Sequence, residues 1–243
     1  MAILLAGVAA GTINTVVGSG TLITFPLLLA FGYAPVTANV SNTIGLVPGS
    51  VAGAVGYRRE LAGQRRRVVP LAVASAIGGV IGAVLLLTLP ASAFKAIVPV
   101  FIAVALLLIV FQKRLTPLLE KRRATGEENG VGARVGVFAS GVYGGYFGAA
   151  QGILLLAILG LTIDDELQRI NAVKVVLAGL VNLIAGIVFV AAAHVAWDVA
   201  ALIAAGSTVG GMLGARYGRR LPPAALKALI VVVGIAAIVK LLA

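Results

Sequence analysis

Hydrophobic residues run along most of the chain in long stretches that short polar segments separate. An apolar α-helix of about 20 residues spans the ~30 Å hydrocarbon core of a bilayer. The pattern predicts full spans near residues 36–57, 68–89, 91–112, 167–193, 198–215 and 222–242. We therefore predict an all-α integral membrane protein.

Two further apolar segments, near 2–31 and 135–161, are broken by glycines and small polar residues. The arms of the first, at 2–17 and 21–31, are short for a straight span. They suit two half-helices that reach the membrane midplane and return. We expect each broken segment to be a re-entrant hairpin.

The broken segments begin two copies of one unit. Gly11–Gly18 aligns with Gly141–Gly148, 130 positions on, and Ile77–Ala83 aligns with Val209–Ala215 at an offset of 132. We predict repeat 1 at 1–112, a cytoplasmic polar loop at 113–134 and repeat 2 at 135–243. Duplicated halves with an interrupted helix in corresponding positions are typical of secondary transporters.

Basic clusters indicate how the halves face. They lie at Arg58–Arg67, Lys113–Arg134 and Arg216–Arg220. If each broken segment crossed the membrane, the halves would be parallel and the third cluster would face away from the other two. If each re-enters, the halves are inverted and all three clusters are cytoplasmic, which the positive-inside rule favours. The acidic loop Asp164–Glu166 then lies on the cytoplasmic side too.

Composition narrows the class of protein. The chain is 60% hydrophobic and 11% charged, with a mean hydropathy of +1.11, so the lipid bilayer is its solvent. The net charge is +11, and the basic residues lie in short clusters between apolar runs. This placement is typical of residues that orient a protein in a membrane, so we exclude nucleic acid as a partner. With no cysteine there are no disulfides or thiol chemistry, and we predict no cofactor and no metal ion.

The breaks carry the candidate binding chemistry. After each break, the second arm begins with unpaired backbone N–H groups and a partial positive charge. Two such helix starts converging from opposite faces make a site for a small anion. The alternative reading of these glycines is close helix packing. The candidate residues are Gly18, Ser19, Gly20, Thr21, Gly148, Ala149, Ala150, Gln151 and Gly152.

Polar residues follow each break on the next span. Asn39, Asn42 and Asn171 are expected either to bond neighbouring helices or to touch substrate. Lys174 lies about two turns into its span without an obvious carboxylate partner, and we predict that it is the countercharge for the anion. Snorkelling to the cytoplasmic surface is the alternative. All acidic residues fall in loops or at span edges, which favours an anionic or neutral substrate over a cation.

A family resemblance agrees with this interpretation. The resemblance is carried by AGVAAGTINTVVGSGTLITFPLLLAFG followed by ANVSNTIGLVPGSVAGAVGYRREL, and by a second copy in GVYGGYFGAAQGILLLAILGL and INAVKVVLAGLVNLIAGIV. These segments resemble the TauE/SafE sulfite exporters, also described as toluene-sulfonate-uptake permeases. The resemblance implies a carrier in a bacterial-type plasma membrane for sulfite, sulfoacetate or related organosulfonates. Ser19 and Ala149–Gln151 depart from the glycine-rich pattern and bear on selectivity.

Other functions stay open at this point. A passive anion channel would share the same features, since sequence does not show whether access alternates. An intramembrane hydrolase would need Ser19 as nucleophile within hydrogen-bond reach of His194, the single histidine. Ser19 is predicted near the midplane and His194 at a surface, so we predict that the protein is not an enzyme. The small-residue faces suit a homodimer as well as packing within a monomer.

Overall fold

The computed structural model describes residues 1–90, 92–94, 96–104, 106, 107, 130–217, 231, 232, 235 and 239. This part of the chain is helical and contains no strand. The helices are α1 (Ala2–Val16), α2 (Thr21–Ala30), α3 (Pro35–Gly56), α4 (Arg58–Leu61), α5 (Arg65–Thr88), α6 (Ser92–Val104), α7 (Gly130–Tyr146), α8 (Gln151–Thr162), α9 (Leu167–Ala192) and α10 (Trp197–Tyr217).

Both interrupted segments break where the sequence predicts, α1 from α2 at 17–20 and α7 from α8 at 147–150. Helix α7 begins five residues before the predicted 135, so the end of the predicted loop 113–134 is helical. The rest of that loop, and most of the predicted span 222–242, lie outside the described residues.

Within the described ranges, α5, α9 and α10 are long and apolar enough to cross a membrane. Helix α3 is of similar length, but its first half is polar and this polar face is buried against the rest of the protein. The buried polar residues are Asn39, Ser41, Asn42 and Thr43.

The halves pack reciprocally: α1 lies along α10, and α7 lies along α5. Gly210 faces the carbonyl oxygen of Val8, and Gly78 faces that of Phe138. These two contacts occupy corresponding positions of the two sequence copies. Helix α1 is therefore held by α10 of the other half, and α7 is held by α5. In both contacts a glycine lets the two backbones approach closely.

The contacts also fix the relative directions of the long helices. Gly45 meets Ile203 and Gly56 meets Ala215, so α3 and α10 run in the same direction. Helices α5 and α9 also run parallel, since Ser75 donates to the Leu177 carbonyl at 3.4 Å and Gly79 lies beside Val181.

Helices α3 and α9 run in opposite directions. Gly179 lies against Ser50, and Gly186 lies against Ile44 farther back along α3. Since α5 is parallel to α9, α3 and α5 are antiparallel to each other. The bundle therefore contains two parallel pairs, α3 with α10 and α5 with α9, that point opposite ways.

The two halves are tied together at one end of the bundle, formed by residues 57–67 and 163–169, which we call the arginine end. Asp165 accepts hydrogen bonds from Arg67 at 2.8 Å and Arg169 at 2.9 Å. Burial raises the pKa of Asp165, but these bonds and the Glu166 backbone N–H outweigh it and hold the pKa below its usual range. Gln64 adds a bond to the Arg169 carbonyl at 3.2 Å.

The opposite end of the bundle also joins the halves. The Ala196 N–H, in the loop after α9, donates to the Ser41 hydroxyl near the start of α3 at 2.9 Å. On this side of the breaks, aromatic rings fill the core: Phe25 of α2 packs edge-on against Phe94 and Phe147, with centroids 6.2 and 5.1 Å away.

The glycine contacts generate a stability prediction. Gly78→Ala or Gly210→Ala places a methyl group against a facing carbonyl oxygen, so each is expected to lower the free energy of unfolding by about 1–3 kcal/mol. Gly160→Ala on α8 is the matched control, since a methyl group there meets open space and favours the helix. Thermal unfolding in detergent measures both, and equal stability of Gly78→Ala and Gly160→Ala would contradict the packing described.

Candidate functional site

The two breaks share one backbone conformation. The N–H groups of Gly18 and the residue before it both donate to the carbonyl of Ile13, and those of Gly148 and its predecessor both donate to Tyr143. Gly18 and Gly148 have φ of +87° and +74°, a left-handed conformation that favours glycine. The aligned glycines of the two sequence copies therefore end α1 and α7 in the same way.

The breaks touch each other at Gly18 and Gly152. The Gly152 N–H donates to the Gly18 carbonyl at 3.0 Å. A Cβ on either residue would collide with the backbone of the other. Two segments more than a hundred residues apart in sequence therefore meet at one buried point.

The start of α2 offers unused hydrogen-bond donors. Within the described part of the chain, the backbone N–H groups of Ser19, Gly20 and Thr21 have no acceptor. The Ser19 hydroxyl is also without a partner, and this residue is only 1% exposed. These donors lie at the positive end of the α2 dipole, which is an arrangement suited to an anion.

The start of α8 is more occupied. The Gly152 N–H is taken by Gly18, and the Gln151 N–H donates to the Gly148 carbonyl at 3.1 Å. The Gln151 amide turns towards α7 and donates to the Ser140 carbonyl at 3.1 Å. The two helix starts are therefore not equivalent, and α2 presents more free donors than α8.

The alanines of the second break are both buried. Ala150 adopts a left-handed conformation with φ 59°, although the corresponding Gly20 does not. This conformation costs a residue with a Cβ roughly 1–2 kcal/mol. The Ala149 carbonyl accepts a hydrogen bond from the Tyr143 hydroxyl, which braces the break against α7.

Lys174 is fully buried and reaches the end of α1. Its ammonium donates to the carbonyls of Asn14 at 3.0 Å and Thr15 at 3.1 Å. Its Cδ lies next to the position that a Cβ on Gly152 would occupy, so the stem runs past the start of α8. The side chain therefore points into the region of the breaks and stabilises the negative end of the α1 dipole.

Asn39 and Asn171 form a reciprocal pair of contacts. Asn39 donates to the Tyr146 carbonyl at the end of α7 at 3.0 Å, and Asn171 donates to the Thr15 carbonyl near the end of α1 at 3.4 Å. Each residue thus caps the interrupted helix of the opposite half. The side-chain oxygens of both are buried and unpartnered.

Asn42 joins α2 to α3. Its amide donates to the Thr21 hydroxyl at 3.2 Å, and its oxygen accepts a hydrogen bond from Thr24. The sequence left open whether the asparagines bond neighbouring helices or touch substrate. Here Asn42 bonds two neighbouring helices. It fixes the start of α2 with its free N–H groups against the bundle.

Carboxylates are absent from the breaks within the described ranges. Glu60, Asp164, Asp165, Glu166 and Asp198 lie in loops, in the short α4 or in the first turn of α10. No cluster of acidic or histidine residues that could hold a metal ion occurs in the same ranges.

The hydrolase pair is not assembled in this structure. His194 is exposed in the loop after α9, whereas Ser19 is buried in the first break. The Ser19 hydroxyl has no hydrogen-bond partner. A nucleophile requires its base within hydrogen-bond reach, so this geometry provides no catalytic pair.

Sequence reasoning missed the acceptors that these side chains serve, which are the backbone carbonyls of Asn14, Thr15 and Tyr146. A signal was present in the repeat: an offset of 132 pairs Asn39 with Asn171 and Asn42 with Lys174. A polar residue at the same place in both copies, beside a helix end that needs capping, predicts such contacts.

The chain is similar to known membrane proteins over nearly its whole length. The family described as "Sulfite exporter TauE/SafE" matches residues 3–241. A "Probable membrane transporter protein ORF9" from Sinorhizobium sp. is 29% identical over 96% of this chain and 88% of its own length. The Haemophilus influenzae "Probable membrane transporter protein" is 26% identical (86% and 81%), and YfcA of Escherichia coli K12, similarly named, is 26% identical (87% and 76%). No solved structure matches the chain significantly.

The reciprocal caps generate a second prediction. Asn39→Leu leaves the buried Tyr146 carbonyl without its side-chain donor, and we expect a loss of about 1–3 kcal/mol in unfolding free energy. Asn171→Leu is expected to act in the same direction at Thr15. Asn182→Leu is the control, since Asn182 lies on α9 without a hydrogen bond in the described structure. Thermal unfolding of the three variants is the measurement, and an Asn39→Leu variant as stable as the control would refute the capping role.

Proposed function

Because this chain belongs to the TauE/SafE sulfite exporter family, and its relatives are named as membrane transporters, we propose that it carries small sulfur-containing or organic anions across a bacterial-type plasma membrane. In this proposal the binding site lies where the two breaks meet, and it opens alternately to the two sides of the membrane. The observation that carries this proposal is a buried set of free donors beside a buried cation, with no carboxylate near them in the described ranges.

The anion site consists of the start of α2 and the side chain of Lys174. Three free N–H groups and the Ser19 hydroxyl supply hydrogen bonds, and the ammonium supplies charge. Backbone donors at membrane depth are tolerated only where protein or a wet cavity surrounds them, so free donors there call for a ligand or water. Sulfite, sulfoacetate and organosulfonates have the oxygen acceptors that such a site binds.

The proposed membrane topology is inverted, with each broken segment re-entrant. Helix α1 has 15 residues and α2 has 10, about 22 and 15 Å long, so neither spans ~30 Å alone. If both broken segments crossed the membrane, α3 and α10 would run in opposite directions. The parallel course of these two helices supports re-entry instead.

The arginine end supports the same topology. A re-entrant second segment puts the loops around 57–64 and 163–166 on one side of the membrane, as the ion pair between Arg67 and Asp165 requires. Helix α7 starts and α10 finishes at this end too, which brings Arg134 and Arg216 to the same side. By the positive-inside rule that side is cytoplasmic.

A passive anion channel is the second candidate, since it would use the same donors. The direct contact between Gly18 and Gly152 favours a carrier, because the backbones of the two breaks touch and leave no continuous opening between them. Flux that saturates and is stimulated by substrate on the far side separates a carrier from a channel.

Topology can be tested by cysteine labelling, since the native chain has no cysteine and gives no background. We expect Ala62→Cys and Leu167→Cys to be protected from an impermeant thiol reagent in intact cells, and Phe31→Cys and His194→Cys to react. All four positions are exposed. If the broken segments crossed the membrane, Ala62 and His194 would instead lie on one side and Leu167 and Phe31 on the other, so each pair would share its labelling result.

Transport can be tested in proteoliposomes with radiolabelled sulfite and sulfoacetate. We expect saturable flux with counter-flow stimulation, and Ser19→Ala should raise KM about two- to tenfold through loss of one hydrogen bond. Ser50→Ala is the matched control, because Ser50 is buried but donates to Leu46 within its own helix. Absence of saturable flux for both anions, or equal KM in the two variants, would contradict the proposed site.

A further inference from the structure

We infer that Lys174 is a tethered substitute for the free cation that carriers with interrupted helices often bind, and that transport therefore requires no Na⁺ or K⁺. This inference rests on the proposed function, because it concerns how the same site is supplied with positive charge. Its evidence is separate, and comes from the contacts that the ammonium makes at the end of α1.

The last carbonyls of α1 lack backbone donors because the helix stops inside the bundle. In a continuing helix, the Asn14 carbonyl would accept from the N–H of Gly18. The Thr15 carbonyl would accept from that of Ser19. Instead, the Gly18 N–H donates to the Ile13 carbonyl at 3.0 Å, and the Ser19 N–H has no acceptor in the described part of the chain. Both carbonyls are therefore available to a cation, at the negative end of the α1 dipole.

The Lys174 ammonium occupies this position. It donates to the Asn14 carbonyl at 3.0 Å and to the Thr15 carbonyl at 3.1 Å, and the side chain is fully buried. It therefore does not snorkel to the cytoplasmic surface, which was the alternative from the sequence. In transporters with interrupted helices, the carbonyls at the end of a half-helix bind the coupling cation. Lys174 thus holds its charge where such a cation would bind.

The helices around the ammonium supply no negative side chain. In the described ranges, α1, α3 and α8 contain no charged side chain, and α9 adds only Arg169, which lies at the arginine end. The two carbonyls accept two of the three N–H groups that a lysine ammonium carries. The positive charge and the third N–H are therefore available to a bound anion, as the charge of a free cation bound beside it would be.

The second break has no such cation. The position that corresponds to Lys174 is Asn42, 132 residues earlier, which is neutral and donates to the Thr21 hydroxyl at 3.2 Å. The end of α7 is capped instead by the amide of Asn39, which donates to the Tyr146 carbonyl. One built-in cation therefore serves the site. It stays with the protein, whereas a free cation would have to bind and leave in each transport cycle.

Chemical rescue of Lys174→Ala tests this role in proteoliposomes that hold the purified full chain. The substitution removes the ammonium and the methylene groups beyond Cβ, which together match propylammonium in shape. We expect sulfite flux to fall about tenfold or more, because the anion then meets no countercharge. Added propylammonium should restore most of the flux, and 1-propanol, which is similar in shape but uncharged, should not. Wild-type flux in the same solutions is the control.

Thermal unfolding in detergent tests the cation position without transport. We expect propylammonium to raise the unfolding temperature of Lys174→Ala, and 1-propanol not to raise it. Leu177→Ala is the matched control, because Leu177 is also fully buried on α9, one turn later, but lies among apolar side chains. If propylammonium stabilised both variants equally, or left Lys174→Ala unchanged, the cation position would be refuted.

The wild-type protein decides if Lys174→Ala does not fold in either solution. We expect equal sulfite flux in sodium, potassium and choline salts. Saturable flux that requires Na⁺ or K⁺ would overturn this inference and leave the carrier standing. Stabilisation of Lys174→Ala by propylammonium, in a protein whose wild type transports neither sulfite nor sulfoacetate, would overturn the proposed function and leave the cation position standing.

Discussion

A helix that stops inside a bilayer leaves backbone N–H and C=O groups that lipid cannot satisfy. Most buried polar contacts around the breaks of this protein answer that constraint. The carbonyls at the end of α1 accept hydrogen bonds from Lys174 and Asn171, and the Tyr146 carbonyl at the end of α7 accepts one from Asn39. Among the described residues, the N–H groups of Ser19, Gly20 and Thr21 at the start of α2 have no acceptor, and the proposed function follows from that contrast between capped carbonyls and free donors.

The caps come from across the molecule, which explains why the halves are interlocked. Asn39 of the first half caps α7 of the second, and Asn171 of the second caps α1 of the first. The glycine contacts of α1 with α10 and of α7 with α5 follow the same exchange. Movement of one interrupted helix therefore shifts a helix end against its cap on the other half, which is a direct physical link between the two breaks.

Within the described residues, the sequence predicted the positions of the long helices and of both breaks, because apolar run length and glycine placement are local signals. Gly18 and Gly148 were identified from the repeat, and both adopt a left-handed backbone conformation. The partners of Lys174 and the bond between Gly152 and Gly18 could not be predicted, because they involve backbone atoms distant in the chain. The turn of Gln151 towards α7 depends on side-chain packing that no sequence pattern encodes.

The exchange of α1 and α7 between the halves has a consequence for how such a protein could arise. A chain with only one repeat would have no α10 for its α1 and no opposite asparagine for its break. Under the proposed topology, it could complete itself only by pairing with a copy inserted in the membrane the other way up. Under that topology, a single repeat would therefore be incomplete as a monomer, and each half of this chain supplies the contacts that the other half lacks.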